Sequence, residues 1–429
     1  MALKIGTADS RLGETTVLRR LSDDEAGSLP GLVASGRDAI PEVLDGFTVR
    51  GPNGTHPCYA TAVAQCDLGD ASFYYMFKLD VARALCLKLV SAIAFIHSQG
   101  YVHGGLSSCG PYLGCIVSNT LLLVDIHLGN FMLKLPPDLN SLSIEKLQEK
   151  YGLPETVAIC RVDGGTLPPN IPPKAVLPLY LGKNAKDVSL QGTRLILSDF
   201  GEAFEPASRT RLCQDSRSPL AARPPEARFE PLSPLSFSAD IWSLAVAMWN
   251  IVGMKPMFSD EFVTPDSVVA QQVDVLGPLP SSWWQLWAQR NEFFDERGNS
   301  IQGEDASPPL IEAFDAWVQN YRKKHHVGIF SEEEKAAFLQ LLRPMLSIDP
   351  QKRPTGEEVL GSDWVVKWAR QKSDTNITAS LKPIIYGQLR ILKIYIQSLS
   401  CIYTFGLPSI WFGSICIPFF PRQTTNFPS

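Results

Sequence analysis

From Asp80 to His97 the apolar positions Val81, Ala84, Leu85, Leu89, Ala92, Ile93 and Ile96 return every three or four residues, the period of a helix with a buried face. Gly100 just beyond supplies a stop. The pattern predicts a long buried helix. Upstream, Met1 to Ile5 reads as a strand, and Ser10 to Leu21 as a short helix with Leu12, Val17, Leu18 and Leu21 on its apolar side. Strand-like runs surround the turn-forming stretch Gly51-Pro52-Asn53-Gly54-Thr55-His56. Between Lys134 and Gly192, prolines, lysines and short polar runs predict an irregular insert with one helix near Ser143 to Lys150. Beyond it, to about Lys372, helical patterns alternate with proline-bearing loops, and no repeat is visible.

Composition adds limits rather than identity. A chain of 429 residues that is 45% hydrophobic can bury a large core, so two lobes or domains fit its size. The net charge of -5 gives no basic field to gather nucleic acid, and direct nucleic-acid binding is not expected. Nine cysteines are scattered, without a CxxC pair or zinc-ligand spacing, and no secretory signal is read. A reducing compartment, cytoplasmic or nuclear, is therefore expected. Ile394 to Phe420 carries no charged residue and is long enough to cross about 30 Å of hydrocarbon. Its prolines, serines and Gln397 favour an unfolded or wrongly translated tail over a membrane anchor.

The candidate chemistry starts at Leu195-Ile196-Leu197-Ser198-Asp199-Phe200-Gly201, an apolar strand that delivers an aspartate followed by an aromatic and a glycine. A magnesium ligand on a movable segment needs that arrangement; a strand ending in a plain turn is the bland alternative. Pro224-Pro225-Glu226, Asp240-Ile241-Trp242-Ser243 and Asp349-Pro350-Gln351-Lys352-Arg353-Pro354 follow in order. Ala2-Leu3-Lys4-Ile5 adds a lysine that, taken alone, reads more often as a snorkelling surface residue, by roughly four to one. Tyr101-Val102-His103-Gly104 is separated from Asp125-Ile126-His127-Leu128-Gly129-Asn130 by the chargeless stretch 105–124. Removing that stretch leaves His-x-Asp-x-x-x-x-Asn. A retained intron would explain it, with a GT at codon 105 and an AG at codon 124, and genomic DNA lacking them ends that idea.

Taken together, these motifs resemble eukaryotic serine/threonine protein kinases. The turn at 51–56 and the long insert after the 125–130 motif resemble the SR-protein-kinase family, fungal members most of all, over about residues 1 to 370. The resemblance implies an α+β bilobal fold: a mostly-β N-lobe with the hinge over 1–79, a mainly helical C-lobe over 80–372 carrying the 105–124 insertion and the 134–192 spacer, and a hydrophobic tail over 373–429. It implies ATP and Mg2+ as cofactors, with Lys4 on the phosphates, Glu14 as its ion-pair partner, and Asn130 and Asp199 as magnesium ligands. Asp125 would orient the substrate hydroxyl, with His127 beside it. His103, Asp240 and the Glu226–Arg353 pair would be structural. The implied partner is an arginine/serine-rich protein of the splicing-factor kind, taken by a monomeric enzyme through an acidic groove.

Three departures from that family matter. Gly104 stands where many kinases carry an arginine that reads a phosphorylated segment, so switching by phosphorylation there is not expected. His127 replaces the usual lysine, removing a fixed charge unless its neighbours hold it protonated. Nothing precedes Met1 in the sequence, so the glycine-rich loop and its two strands are expected to be missing, leaving a lone strand at 2–5 and weak ATP binding. The second functional reading is accordingly an impaired, non-catalytic kinase fold that binds a protein partner.

Overall fold

The computed structural model describes residues 1–6, 13–23, 31–51, 54–105, 128–136, 139, 142–160, 165–167, 173–176, 181–259 and 263–370. Strand β1 (Ala2–Ile5) is followed by helices α1 (Gly13–Ser22) and α2 (Gly31–Ala34) and then by β2 (Asp45–Gly51) and β3 (Gly54–Thr61). The chain closes a hairpin between β2 and β3, with Gly51 opposite Gly54, so β3 becomes the middle of an antiparallel sheet ordered β1-β3-β2. Its central residues are buried, whereas β2 exposes nearly every position. The expected lone strand is thus corrected: Ala2 to Ile5 pair in register with Thr61 to Cys58, because the hairpin lays β3 alongside. Helix α1 buries Thr15, Val17, Leu18 and Leu21; its described part begins at Gly13, three residues after the expected start.

Strand β4 (Ala64–Asp67) leads through α3 (Leu68–Ser72) to α4 (Leu79–Ser98), the long helix expected from the periodic apolar run. Helix α4 is almost wholly buried. Strand β5 (Phe131–Lys134), α5 (Ile144–Tyr151), β6 (Thr156–Ala158), β7 (Lys174–Val176) and β8 (Leu195–Leu197) follow. Ser143 caps α5 by accepting the Lys146 N–H, as serine does at a helix start. A second antiparallel sheet is ordered β4-β5-β8, and β6 pairs only with β7. All three residues of β8 are buried.

The remaining helices are α6 (Glu226–Phe229), α7 (Phe237–Val252), α8 (Pro265–Leu276), α9 (Ser281–Leu286), α10 (Leu310–Phe314), α11 (Asn320–Lys324), α12 (Glu332–Met345) and α13 (Gly356–Leu360). Helices α4 and α7 pack against each other at the centre of the main core. Gly356 permits the approach of α13, since a Cβ there would sit 2.9 Å from the Ala94 Cα. Arg322 is fully buried and donates to the carbonyls of Phe77, Val252, Val327 and Gly328. Burial first, and the nearby Arg83 second, pull its pKa down to about 10. Four carbonyls nonetheless satisfy the guanidinium and tie the segment before α4 to α7 and to the turn after α11.

The result is a mixed α+β fold. Among the described residues no helix is long and apolar enough to cross a membrane, and none of the described cysteines forms a disulfide. The stretch 394–420, the rest of the expected tail and the 106–124 part of the expected insertion lie outside the described residues.

Candidate functional site

Because β5 and β8 run antiparallel with Phe131 opposite Leu197, the residue before β5 and those after β8 meet at one end of the sheet. Asn130 and Ser198 are joined there, the Ser198 N–H donating to the Asn130 carbonyl at 2.8 Å. Asp199 then turns the chain sharply, with φ 64° and ψ 63°. A non-glycine residue in that left-handed region costs on the order of 1–2 kcal/mol, which the surrounding bonds must offset. One of them is direct: the Phe200 N–H donates to Glu14 Oε1 at 3.1 Å.

Glu14 sits in the first turn of α1 and reaches across to β1. Lys4 Nζ lies 2.9 Å from its Oε1 and 2.8 Å from its Oε2. The same ammonium lies 3.7 Å from Asp199 Oδ1. Three elements distant in sequence therefore place one cation between two carboxylates. The Glu14 side chain is 11% exposed, against 33% for Asp199 and 40% for Lys4, so the cluster is open on the Asp199 side. Tyr59 on β3 lies beneath Lys4, 5.9 Å from ring centroid to Nζ. Burial and the neighbouring Glu14 carboxylate push its phenol well above the ordinary range, so it stays neutral.

A second layer holds this cluster from behind. His103 is fully buried, its ring edge-on to Phe200 at 4.9 Å. Its Nε2 lies 3.1 Å from the Ser198 carbonyl, which can only accept, so that nitrogen carries the hydrogen. Burial holds the His103 pKa below its ordinary value against the pull of Asp240 and Asp199. Asp240 is 2% exposed and receives the His103 N–H at 2.7 Å, the Gly104 N–H at 3.0 Å and His97 Nε2 at 3.0 Å. Farther out, Arg353 forms a bidentate pair with Glu226, both bonds 2.7 Å, and its guanidinium lies 5.0 Å from the Trp242 ring.

Asp125 and His127 lie outside the described residues, as does the linker between Gly105 and Leu128. The two flanks of that linker meet, however: Asn130 Nδ2 donates to the Gly105 carbonyl at 2.8 Å. Asn130 and Asp199 are thus neighbours, and Lys4 and Glu14 join Asp199.

No family model matches the chain. A serine/threonine protein kinase of Aspergillus fumigatus is 24% identical over 178 residues, which is 40% of this chain and 40% of the relative. Serine/threonine-protein kinase SKY1 of Saccharomyces cerevisiae is 25% identical over 137 residues, 31% of this chain and 17% of that kinase. Serine/threonine-protein kinase spk-1 of Caenorhabditis briggsae is 26% identical over 126 residues, 28% of this chain and 10% of the relative. These relatives support a protein-kinase family. The chain spans less than half the length of each of them.

Kinase relatives imply a nucleotide and magnesium, and the donor set can be tested against both. Among the described residues no group of three or more His, Cys, Asp or Glu could hold a metal ion by itself. That is compatible with magnesium, which is commonly held by one or two protein oxygens together with substrate phosphates. Asp199, with its partly exposed carboxylate beside a lysine, fits that role, and Asn130 stands at the same sheet end.

Sequence reasoning missed two residues around the cluster. Arg211 is buried, 2.6 Å from the Glu202 carboxylate, and donates to the Glu202 and Asp215 carbonyls. Its guanidinium lies beside Gly104: a Cβ built there would sit 3.6 Å from Arg211 Nη1 and 3.2 Å from the Glu202 carbonyl, at a backbone φ of +69°. The neighbourhood left empty by Gly104 thus receives its guanidinium from the segment after Asp199. Arg20 on α1 donates to the Tyr101 hydroxyl at 3.0 Å and ties the Glu14 helix to the Tyr101–Gly104 segment. Neither residue belongs to a motif.

Proposed function

We propose that this protein is a serine/threonine kinase of the SR-protein-kinase class, moving the γ-phosphate of ATP to serine hydroxyls of arginine/serine-rich proteins. The observation that supports it most is the Lys4 ammonium held between Glu14 and Asp199 while the Phe200 N–H grips the same Glu14. Phosphoryl transfer is largely positioning and charge compensation, and it needs a lysine braced by a glutamate and an aspartate close by.

In this reading Lys4 binds the nucleotide phosphates, and Glu14 keeps its long side chain extended toward them. Asp199 and Asn130 hold magnesium, which when bound would neutralise phosphate charge. Asp125 accepts a hydrogen bond from the serine hydroxyl, aims its oxygen at phosphorus and receives its proton. His127 contributes positive charge next to the transferred group when protonated. Asp199 itself adopts a left-handed backbone, and His103, bonded to the Ser198 carbonyl and to Asp240, fixes the scaffold beside it.

The test is incorporation of labelled phosphate from Mg-ATP into an arginine/serine-repeat peptide by the full chain, with Asp199→Ala as control. Incorporation that depends on Asp199 is the expected result. Equal signals from the two proteins would sink the claim of catalysis.

A further inference from the structure

Strand β2 is the outer strand of its sheet, and among the described residues no strand lies beyond it. Asp45 to Arg50 are all exposed. The ladder fixes which of their backbone groups are used. The Gly6 N–H donates to the Pro57 carbonyl at 2.7 Å and the Leu44 N–H to the Ala60 carbonyl at 2.9 Å, so odd-numbered residues of β3 turn toward β1 and even-numbered ones toward β2. In the register, Ala60, Cys58 and His56 stand opposite Asp45, Phe47 and Val49. Gly46, Thr48 and Arg50 therefore point their N–H and C=O groups away from the sheet, as alternate residues of an antiparallel strand do. The Gly46 N–H accordingly donates to the Asp45 carboxylate at 2.8 Å and not to β3.

An open edge of this kind is a template for another strand, and the side chains of β2 say which. Phe47 and Val49 are exposed apolar residues on one face of the strand. Glu42 and Asp45 lie toward one end and Arg50 at the other. An identical strand laid antiparallel sets the basic end against the acidic end, whereas a parallel one sets like charges together. Arg19 lies over Gly46 as the like charge on that side, and Asp45 with Glu42 outnumbers it. One antiparallel register uses every outward residue: with a two-fold axis at Thr48, Thr48 meets its own counterpart, Gly46 meets Arg50 and Phe47 meets Val49. The Phe47–Val49 pairs then fall at the sites without hydrogen bonds, where facing side chains lie closest. The Asp45 carboxylate, already turned to the edge at Gly46, stands beside the incoming Arg50.

We propose that the free edge of β2 binds the β2 edge of a second copy of this chain, antiparallel and centred on Thr48, so that two sheets join into one. The joint is self-complementary in backbone bonds, in apolar contacts and in charge, and the same patch serves both copies, as a two-fold interface requires. It does not rest on the kinase reading and stands or falls separately from it.

The experiment is sedimentation velocity on the full chain over a range of protein concentrations, without nucleotide, beside a Phe47→Lys/Val49→Lys variant that sets like charges opposite each other across the joint. A concentration-dependent dimer is expected, with its dissociation constant raised at least about tenfold in the double variant. Both positions are exposed, so the melting temperature of the variant in dilute solution should match that of the unsubstituted chain. A second pair of variants reads the register. Thr48→Cys meets its own counterpart at a Cα separation of about 5.5 Å, within disulfide reach, whereas Arg50→Cys is about four residues out of step with its counterpart, roughly 13 Å away. Mild oxidation should link Thr48→Cys into a covalent dimer above the background of the unsubstituted chain and leave Arg50→Cys at that background. A chain that stays monomeric, as the kinase resemblance implies, would overturn the proposal. So would a dimer that ignores the double variant, or oxidation that fails to link Thr48→Cys in preference to Arg50→Cys.

Discussion

Asp240 accepts three hydrogen bonds at 2.7, 3.0 and 3.0 Å while only 2% exposed, so Asp240→Ala strips the acceptor from the His103 and Gly104 N–H groups and from His97 at once. A hydrogen bond to a charged group contributes roughly 1.5–3 kcal/mol, and a buried donor left without a partner costs about 1–3 kcal/mol. The three share one carboxylate and are not additive; a loss of about 4 kcal/mol is expected, a large part of the 5–15 kcal/mol typical of a folded domain. Asp240→Asn keeps one acceptor oxygen but turns an NH₂ toward the other donors, and should lose about half as much. Urea unfolding followed by tryptophan fluorescence reads this directly, because Trp242 and Trp249 are fully buried in the same helix. An Asp240→Ala protein within about 1 kcal/mol of the unsubstituted chain would refute the claim that this carboxylate holds the His103–Gly104 turn.

Glu226→Ala leaves the Arg353 guanidinium, 0% exposed, without its carboxylate; a loss of about 3–5 kcal/mol is expected, whereas Lys352→Ala at an exposed neighbour should stay within about 0.5 kcal/mol in the same unfolding assay. His103 has its folded pKa lowered by burial, so the unfolded chain binds more protons just below its ordinary value near 6.5. Stability from this group is full above that value and falls as pH drops toward the folded pKa; thermal melts from pH 8 to 5 should show a smaller acid loss for His103→Gln. Asp67 has the opposite sign: burial first, then the Asp70 carboxylate, raise its pKa, so its ionisation destabilises the fold as pH rises from about 4 toward neutral. Asp67→Asn, which can still accept the Asp70 N–H that now bonds Asp67 at 2.7 Å, should raise the melting temperature above pH 7 and leave it nearly unchanged at pH 4.

Regular elements were legible where a period repeats. The apolar spacing from Val81 to Ile96 marks α4 to within a residue or two, and the Gly-Pro-Asn-Gly stretch marks the turn between β2 and β3. The apolar run Leu195 to Leu197 marks β8, hence the place where Asp199 leaves the sheet. Pairing across long separations was not legible. Nothing local distinguishes Arg211 from the exposed Arg209 two residues earlier, because its burial comes from Glu202, Phe204 and Asp215 closing around it. Arg20 and Tyr101 meet across 81 residues, and Arg322 finds its carbonyls only once α4, α7 and the turn after α11 have docked. The pairing of β1 with β3 was likewise hidden, since a strand's partner is set by the hairpin that delivers it and not by its own four residues.

The proposed activity requires Lys4, Glu14 and Asp199 to form one phosphate-and-magnesium site. Calorimetric titration of the full chain with ATP, in magnesium and in excess chelator, measures that most directly, with Asp199→Ala and Glu14→Gln alongside. Magnesium-dependent binding that Asp199→Ala abolishes and Glu14→Gln weakens is expected. Binding that ignores magnesium, or that Asp199→Ala leaves intact, would contradict it.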